Sequence, residues 1–296
     1  MSHAGKILGG ANFVSGTEIT SGARELFGDP TTLAQYQFRL AQELCSECRD
    51  YHATWPYRRL SRTVGGIEAN ADITEALLRE GVQPNARILI AGAADAGMLA
   101  LTADATKDLT PSIDVADRCP TPLAVCRLYA KTRGLSINTL ELDFSSSVPP
   151  HRYDVVYGDC ILQFVPQQFH VDVLRKLGQA MTKRSVLILV ERLRASGEYG
   201  SHSREERAVE TLNALAARGI KLPEDEAGFL LRLNRMLNAH RTRITEYPAP
   251  SNLSSCLVAA GFRLKELSDG NREQTDFLPN GETVTIKTTV AFPMRD

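Results

Sequence analysis

The 296-residue chain has no apolar run approaching the length of a membrane span, and its opening stretch, MSHAGKILGGANFVSG, holds no apolar segment of signal-peptide length. A cytoplasmic location and no membrane partner are therefore expected. Charge of one sign is missing as well. Thirty-four Lys and Arg oppose 35 Asp and Glu, for a formal net charge of -1, so no basic field argues for a nucleic-acid partner. Glycine and proline number only 21 and 14 and are scattered, which excludes a disordered or fibrous chain. No repeat and no low-complexity segment occurs. With 43% hydrophobic and 23% charged residues, the chain can bury a core as one large domain or two small ones.

The six cysteines, at 45, 48, 119, 126, 160 and 256, show no recurring disulfide spacing and suit a reducing compartment. Cys45 and Cys48 form one C-x-x-C. A zinc site would need a second pair or histidines at ligand spacing, and neither is evident. Two cysteines on one helix face is the reading adopted, and no metal site is expected.

What is present is an alternation of patterns. After GDP, a helix is expected with Thr32 and Gln35 as a capping box and Leu33, Tyr36, Leu40, Leu44, Cys48 and Tyr51 on one face. TWPYRRLSRTVGG reads as a loop, and a second helix runs from about Asn70 to Glu80. From Ala86 the order becomes strand (ARILIAG), helix (MLALTADATK), strand (SIDVAD), helix (TPLAVCRLYAKTRG), strand (INTLELDF), strand (YDVVYGD), helix (Pro166 to Met181) and strand (RSVLILVERL). The fourth of these takes Thr121 as N-cap and Gly134 past its end. Ser203 with Glu206 opens a further helix as a capping box, and Pro223 to Glu226 open another reaching about His240. SNLSSCLVAAGF reads as a short helix, and RLKELSD and ETVTIKTTVAFP as an antiparallel pair. The expected class is α/β: a mostly parallel, doubly wound sheet of about seven strands with an antiparallel C-terminal strand. A helical N-terminal extension (1–80) and a helical insertion at about 197–245 are expected to form a lid over a sheet domain spanning 81–296.

The loop after the first strand, GAADAG, carries little side chain. Such a loop lets a ligand approach backbone N–H groups at the next helix N-terminus. It fits the dinucleotide fingerprint with alanine in the middle, and Asp117 lies where a ribose-binding acid belongs. It fits equally the glycine loop of enzymes using S-adenosylmethionine.

The ordered set of later elements, from about Asn70 to Phe292, resembles the class I S-adenosylmethionine-dependent methyltransferases. The resemblance implies S-adenosyl-L-methionine as cofactor. It implies that Gly92, Ala93, Ala94 and Gly97 line the cofactor, that Asp117 binds the ribose hydroxyls beside Arg118, and that Asp143 and Phe144 meet the adenine. It also implies that GDCILQF, with Asp159, faces the transferred methyl group. The AGF of residues 260–262 and the strand VTIKTTVAF complete the pattern. Two features depart from it: Ile90 occupies the region where an acid often stands, and alanines thin the loop. The alternatives left open are a nicotinamide-dependent oxidoreductase using the same loop, against which there is no second mononucleotide-binding half, and a non-catalytic cofactor-binding protein. A homodimer is also left open.

Methyl transfer needs alignment, exclusion of water and removal of the acceptor's proton. Asp159, His170 and His202 are the candidate catalytic residues, and Tyr57, Tyr199 and Arg235 the candidate substrate contacts. The cluster Arg232, Arg235, His240, Arg241 and Arg243 reads mainly as a solvated helix end. Trp55, Tyr57, Arg58 and Arg59 either meet a ligand or anchor the N-terminal helices. A small-molecule substrate methylated on oxygen or nitrogen is the expectation.

Overall fold

The computed structural model describes residues 30–64, 67, 71–193, 203–243, 250–265, 271–274 and 284–294. His202 and Tyr199 lie outside the described residues, as do the side chains of His240, Arg241 and Arg243.

Nine α-helices and eight strands are described: α1 (Pro30–Leu44), α2 (Arg49–Ser61), α3 (Ala71–Gly81), β1 (Arg87–Ala91), α4 (Gly97–Ala105), β2 (Ser112–Asp117), α5 (Pro120–Arg133), β3 (Ile137–Glu141), β4 (Tyr153–Asp159), α6 (His170–Gln179), β5 (Met181–Leu193), α7 (Arg204–Ala217), α8 (Glu226–Arg243), α9 (Pro250–Ala259), β6 (Phe262–Lys265), β7 (Asn271–Gln274) and β8 (Val284–Pro293). The strand order is β3-β2-β1-β4-β5-β8-β6, with β7 also paired to β8. β1 to β5 pair in parallel, and β8 is antiparallel to β5, β6 and β7. The expected α/β class and the antiparallel end are present. β7 lies between the two C-terminal segments expected as an antiparallel pair, where no strand was expected.

Alternation along the central strands divides the core. Ile88, Ile90, Val155, Tyr157, Ile188 and Val190 face one side, where Leu78 of α3, Leu99 of α4 and Leu123 of α5 cover them. Leu89, Val156, Leu187 and Leu189 face the other, beneath Leu174 and Leu177 of α6 and Leu253 and Leu257 of α9. Both faces of a parallel sheet must be covered, so its strands read as apolar runs. Each such fully buried aliphatic side chain contributes about 1.5–3 kcal/mol.

A third apolar cluster belongs to the helices outside the sheet. Phe38 and Ala41 of α1, Ala53 and Tyr57 of α2, Leu212 and Leu215 of α7, and Phe229 and Leu233 of α8 pack together. The reciprocal Ser203–Glu206 capping box opens α7 as expected.

Local expectations fail where tertiary contacts override them. The long N-terminal helix breaks at residues 45–48, so Cys45 lies just past the end of α1 and Cys48 is the N-cap of α2. The TWPYRRLS segment is helical although Pro56 lies inside it. Proline removes the N–H that would bond the carbonyl four residues earlier. Here Gln37 Nε2 donates to that His52 carbonyl at 3.2 Å. α1 starts at Pro30, so Thr32 and Gln35 do not cap it. α5 starts two residues earlier than read, with Cys119 as N-cap and Pro120 first. Gly134 adopts φ 64° past its end, as expected.

Candidate functional site

A cavity of about 1170 Å³ opens where the loops after β1, β2, β3 and β4 meet α2, α7 and α8. It sits at the carboxyl ends of the parallel strands, where the order reverses between β1 and β4. Open α/β sheets bind their ligands at this switch point.

Its floor is the loop after β1. Gly92 has φ 79°, and a Cβ there would meet Ile161 Cγ2 at 2.7 Å. Only glycine fits, because the backbone is left-handed and the neighbour is close. Gly92, Ala93 and Ala94 line the cavity. Gly97 does not: it is buried, and its amide donates to Asp95 Oδ1 at 2.7 Å. Its role is to leave room, since a Cβ would press on Asp95, Arg59 and Ile67.

Asp95 is the residue the sequence reading passed over. Its Oδ2 accepts from Trp55 Nε1 at 3.1 Å and from the Arg59 guanidinium. Gln37 Nε2 donates to Ala94 O at 2.9 Å. The loop is thus strapped to α1 and α2. Trp55 and Arg59 anchor helices to the floor while also lining the cavity.

Asp117 ends β2 and lines the cavity. Its Oδ2 accepts from Ala93 N at 2.9 Å and its Oδ1 from Cys119 N at 2.7 Å. Burial pushes its carboxyl up, against the pull of these two amides. Each oxygen keeps a lone pair for a ligand hydroxyl. Arg118, exposed, and Phe144 also line the cavity. Asp143 lies after β3, accepting from Ser145 N at 2.8 Å. Burial would raise its carboxyl, but Ser145, Arg118 and Lys176 together hold it below the usual range.

Asp159 ends β4 and lines the cavity. The turn after it is tight: Cys160 adopts φ 54°, and Leu162 N donates to Glu191 Oε1 at 2.9 Å. Glu191 is fully buried on β5, where the sequence suggested only a strand residue. Such sparsely populated backbone at a non-glycine residue is held only by its surroundings.

The opposite wall is aromatic. Tyr51 stacks on Trp55 with ring centroids 5.5 Å apart and meets Phe164 edge-on at 5.4 Å. Arg58, Arg207 and the exposed Arg235 also line this side. Arg232 also lines the cavity but is held by Asp50 at 2.6 Å and Glu224 at 2.9 Å, and it lies over the Phe38 ring. It joins α8 to α2, so it is not a solvated helix end.

Two expected site residues are placed away from the cavity. His170 is fully buried, its Nε2 2.8 Å from Val165 O, and burial holds its imidazole below the usual value. Tyr57 is fully buried against Phe229, and its hydroxyl has no hydrogen-bond partner. Both are packing residues, brought inside because each sits on the apolar face of its helix.

At the cavity's edge the structure corrects the expectation of no metal-ligating group. Cys45, Cys48, His52 and Cys119 converge, with ligand atoms all within 4.8 Å of one another. Cys45 Sγ lies 3.3 Å from Cys119 Sγ, 3.4 Å from His52 Nδ1 and 3.0 Å from Thr121 Oγ1. Hydrogen bonds from Cys45 and Cys48 hold the Cys119 thiol well below its usual value despite burial. The same sharing pushes Cys48 up. Burial would lower His52, but hydrogen bonds to Cys119 and Cys45 outweigh it and push the imidazole up to about 9. The histidine lies four residues past Cys48, a spacing present in the sequence. Cys119 is distant in sequence, and only the fold delivers it.

No protein-family model matches the chain, and no curated protein matches it. Solved structures do. A coclaurine N-methyltransferase bound to N-methylheliamine and S-adenosylhomocysteine aligns with TM-score 0.50 and 10% identity, covering 93% of this chain and 94% of its own. A possible exported protein from Bordetella parapertussis aligns with TM-score 0.51 and 12% identity, covering 95% and 100%. The mitomycin 7-O-methyltransferase MmcR aligns with TM-score 0.48 and 18% identity, covering 93% of this chain, which spans just under two thirds (66%) of that enzyme. The fold shared with the coclaurine enzyme is the one the sequence resemblance implied.

Proposed function

Proceeding from the class I methyltransferase fold, we propose that this chain transfers a methyl group from S-adenosylmethionine to an oxygen or nitrogen of a small molecule. The observation that carries this reading is the cavity at the switch point. It is floored by a side-chain-poor loop whose Gly92 cannot hold a Cβ, and it is flanked by Asp117 and Asp143 from two successive strands.

The donor set suits the cofactor. Gly92 to Ala94 present little side chain to the cavity, Asp117 keeps lone pairs for ribose hydroxyls, and Asp143 with Phe144 offers an acceptor and a ring for the adenine. The cofactor supplies a methyl group already activated on a sulfonium. The protein's contribution is then to align, exclude water and accept a proton. Asp159, at the end of β4 inside the cavity, is the candidate proton acceptor. Tyr51, Trp55 and Phe164 form a wall suited to a planar or apolar acceptor, with Arg235 at its margin. The helices α1, α2, α7 and α8 act as a lid over both ligands. On the far side of the switch point the sheet continues into antiparallel β8 and β6 and not into a second mononucleotide-binding half, which argues against a dinucleotide.

Calorimetric titration with S-adenosylmethionine, S-adenosylhomocysteine, NAD(H) and NADP(H) tests the reading. Binding of the sulfonium compound and its thioether product alone is expected. Binding of a nicotinamide dinucleotide alone would replace the reading with that of an oxidoreductase.

A further inference from the structure

We infer that Cys45, Cys48, His52 and Cys119 form a zinc site that fastens the turn between α1 and α2 to the start of α5. Three thiolates and an imidazole are the donor set of structural zinc. A tetrahedron with bonds of about 2.3 Å has edges of about 3.8 Å. The 3.3 Å between Cys45 and Cys119 sulfurs and 3.4 Å from Cys45 Sγ to His52 Nδ1 need little adjustment to reach it.

Placement supports anionic sulfur here. Cys48 and Cys119 are the N-caps of α2 and α5, and neither side chain makes a cap hydrogen bond. Cysteine is not a favoured cap, since Ser, Thr, Asp and Asn lead at that position. A metal-bound thiolate at either position faces the positive end of its own helix dipole, which stabilises it. Cys45, His52 and Cys119 are buried, so three of the four donors are shielded from water. Cys48 is half-buried and gives an ion its way in. Around the donors, Thr121 Oγ1 lies 3.0 Å from Cys45 Sγ, and Gln37 holds the His52 backbone carbonyl. Ligands supported in this way keep their orientation. Binding leaves all four positions filled by protein, so the ion has a structural role.

The consequence is mechanical. Cys119 lies two residues beyond Asp117 and donates its amide to that carboxylate. The ion therefore couples the helical wall of the cavity to the acid at its floor. This holds whatever ligand the cavity takes.

The full-length chain, purified from zinc-supplemented cells without chelator, is assayed for metal by mass spectrometry, then stripped and titrated with Co²⁺. About one zinc per chain is expected, with a thiolate-to-cobalt charge-transfer band on replacement. Cys45→Ser and Cys119→Ser should each weaken Co²⁺ binding at least about tenfold, as loss of a ligand requires, whereas Cys256→Ala keeps it. Because a ligand variant could unfold, stripping the unaltered chain is the second measurement: it should raise proteolysis within residues 30–61, and added Zn²⁺ should reverse this. Absence of a thiolate band in the unaltered chain would overturn the assignment. So would recovery of a Cys45–Cys119 disulfide in the freshly isolated protein, or undiminished Co²⁺ binding by the double variant Cys45→Ser/Cys119→Ser.

Discussion

Asp95 accepts the indole N–H of Trp55 at 3.1 Å, and with the same carboxylate it holds the Arg59 guanidinium and the amide of Gly97. One acid in a loop of small residues thus carries the α2 wall of the cavity and shapes the loop beneath it. Asp95 and Arg59 are both mostly buried, with 13% and 16% of their side chains exposed. Removing one partner leaves the other charge poorly solvated. Asp95→Ala is expected to lower unfolding free energy by about 2–4 kcal/mol, measured by urea denaturation. In a double-mutant cycle with Arg59→Ala the two losses should fall well short of additive. Additive losses would show that Asp95 and Arg59 act independently.

The glycines of this region separate two physical demands. Gly92→Ala meets both a left-handed backbone and Ile161 Cγ2 at 2.7 Å. Gly134→Ala meets only the backbone demand, since its φ is 64° and nothing lies within 4 Å. Gly134→Ala should cost about 1–2 kcal/mol of stability and leave cofactor affinity unchanged. Gly92→Ala should cost more and also abolish cofactor binding. Equal affinities in calorimetry for the two variants would mean the loop does not floor the cofactor.

Asp117 tests the polar end of the same cavity. Asp117→Ala removes the acceptor proposed for the ribose hydroxyls and the bonds from Ala93 and Cys119. Cofactor affinity should fall by about 1.5–3 kcal/mol, or roughly ten- to hundredfold. Asp117→Asn, which keeps one acceptor oxygen, should fall less. Unchanged affinity in both would place the cofactor elsewhere.

The sheet was legible because its signals are local. Apolar runs of five to seven residues ending in Asp117 or Asp159, separated by helices with a capping box or an αL glycine, identify their elements without knowledge of the neighbours. What failed depended on partners far along the chain. Pro56 reads as a breaker until Gln37 supplies the missing donor. His170 reads as a candidate base until α6 is seen to turn it inward onto Val165. The C-x-x-C reads as inert because Cys119, which completes the cluster, is 74 residues from Cys45 and arrives through the packing of α1 on α5. Asp95 was hidden for a similar reason, since its partners Trp55 and Arg59 lie about forty residues upstream in a segment read as loop.

His170 gives a pH dependence whose sign follows from its surroundings. Burial lowers its folded-state value, with the hydrogen bond to Val165 working against that trend. Above the ordinary histidine value of about 6.5, folded and unfolded chains are both neutral at this position, and it contributes no pH dependence. As pH falls through that value the unfolded chain gains a proton that the folded chain refuses, so stability declines until the lower folded-state value is passed. His170→Gln, which can still donate toward the Val165 carbonyl, removes the titration. Urea midpoints measured from pH 8 to pH 5 should therefore fall less steeply for His170→Gln than for the unaltered chain, with the two curves parallel above about pH 7. Parallel curves across the whole range would mean that another group sets the acid limb.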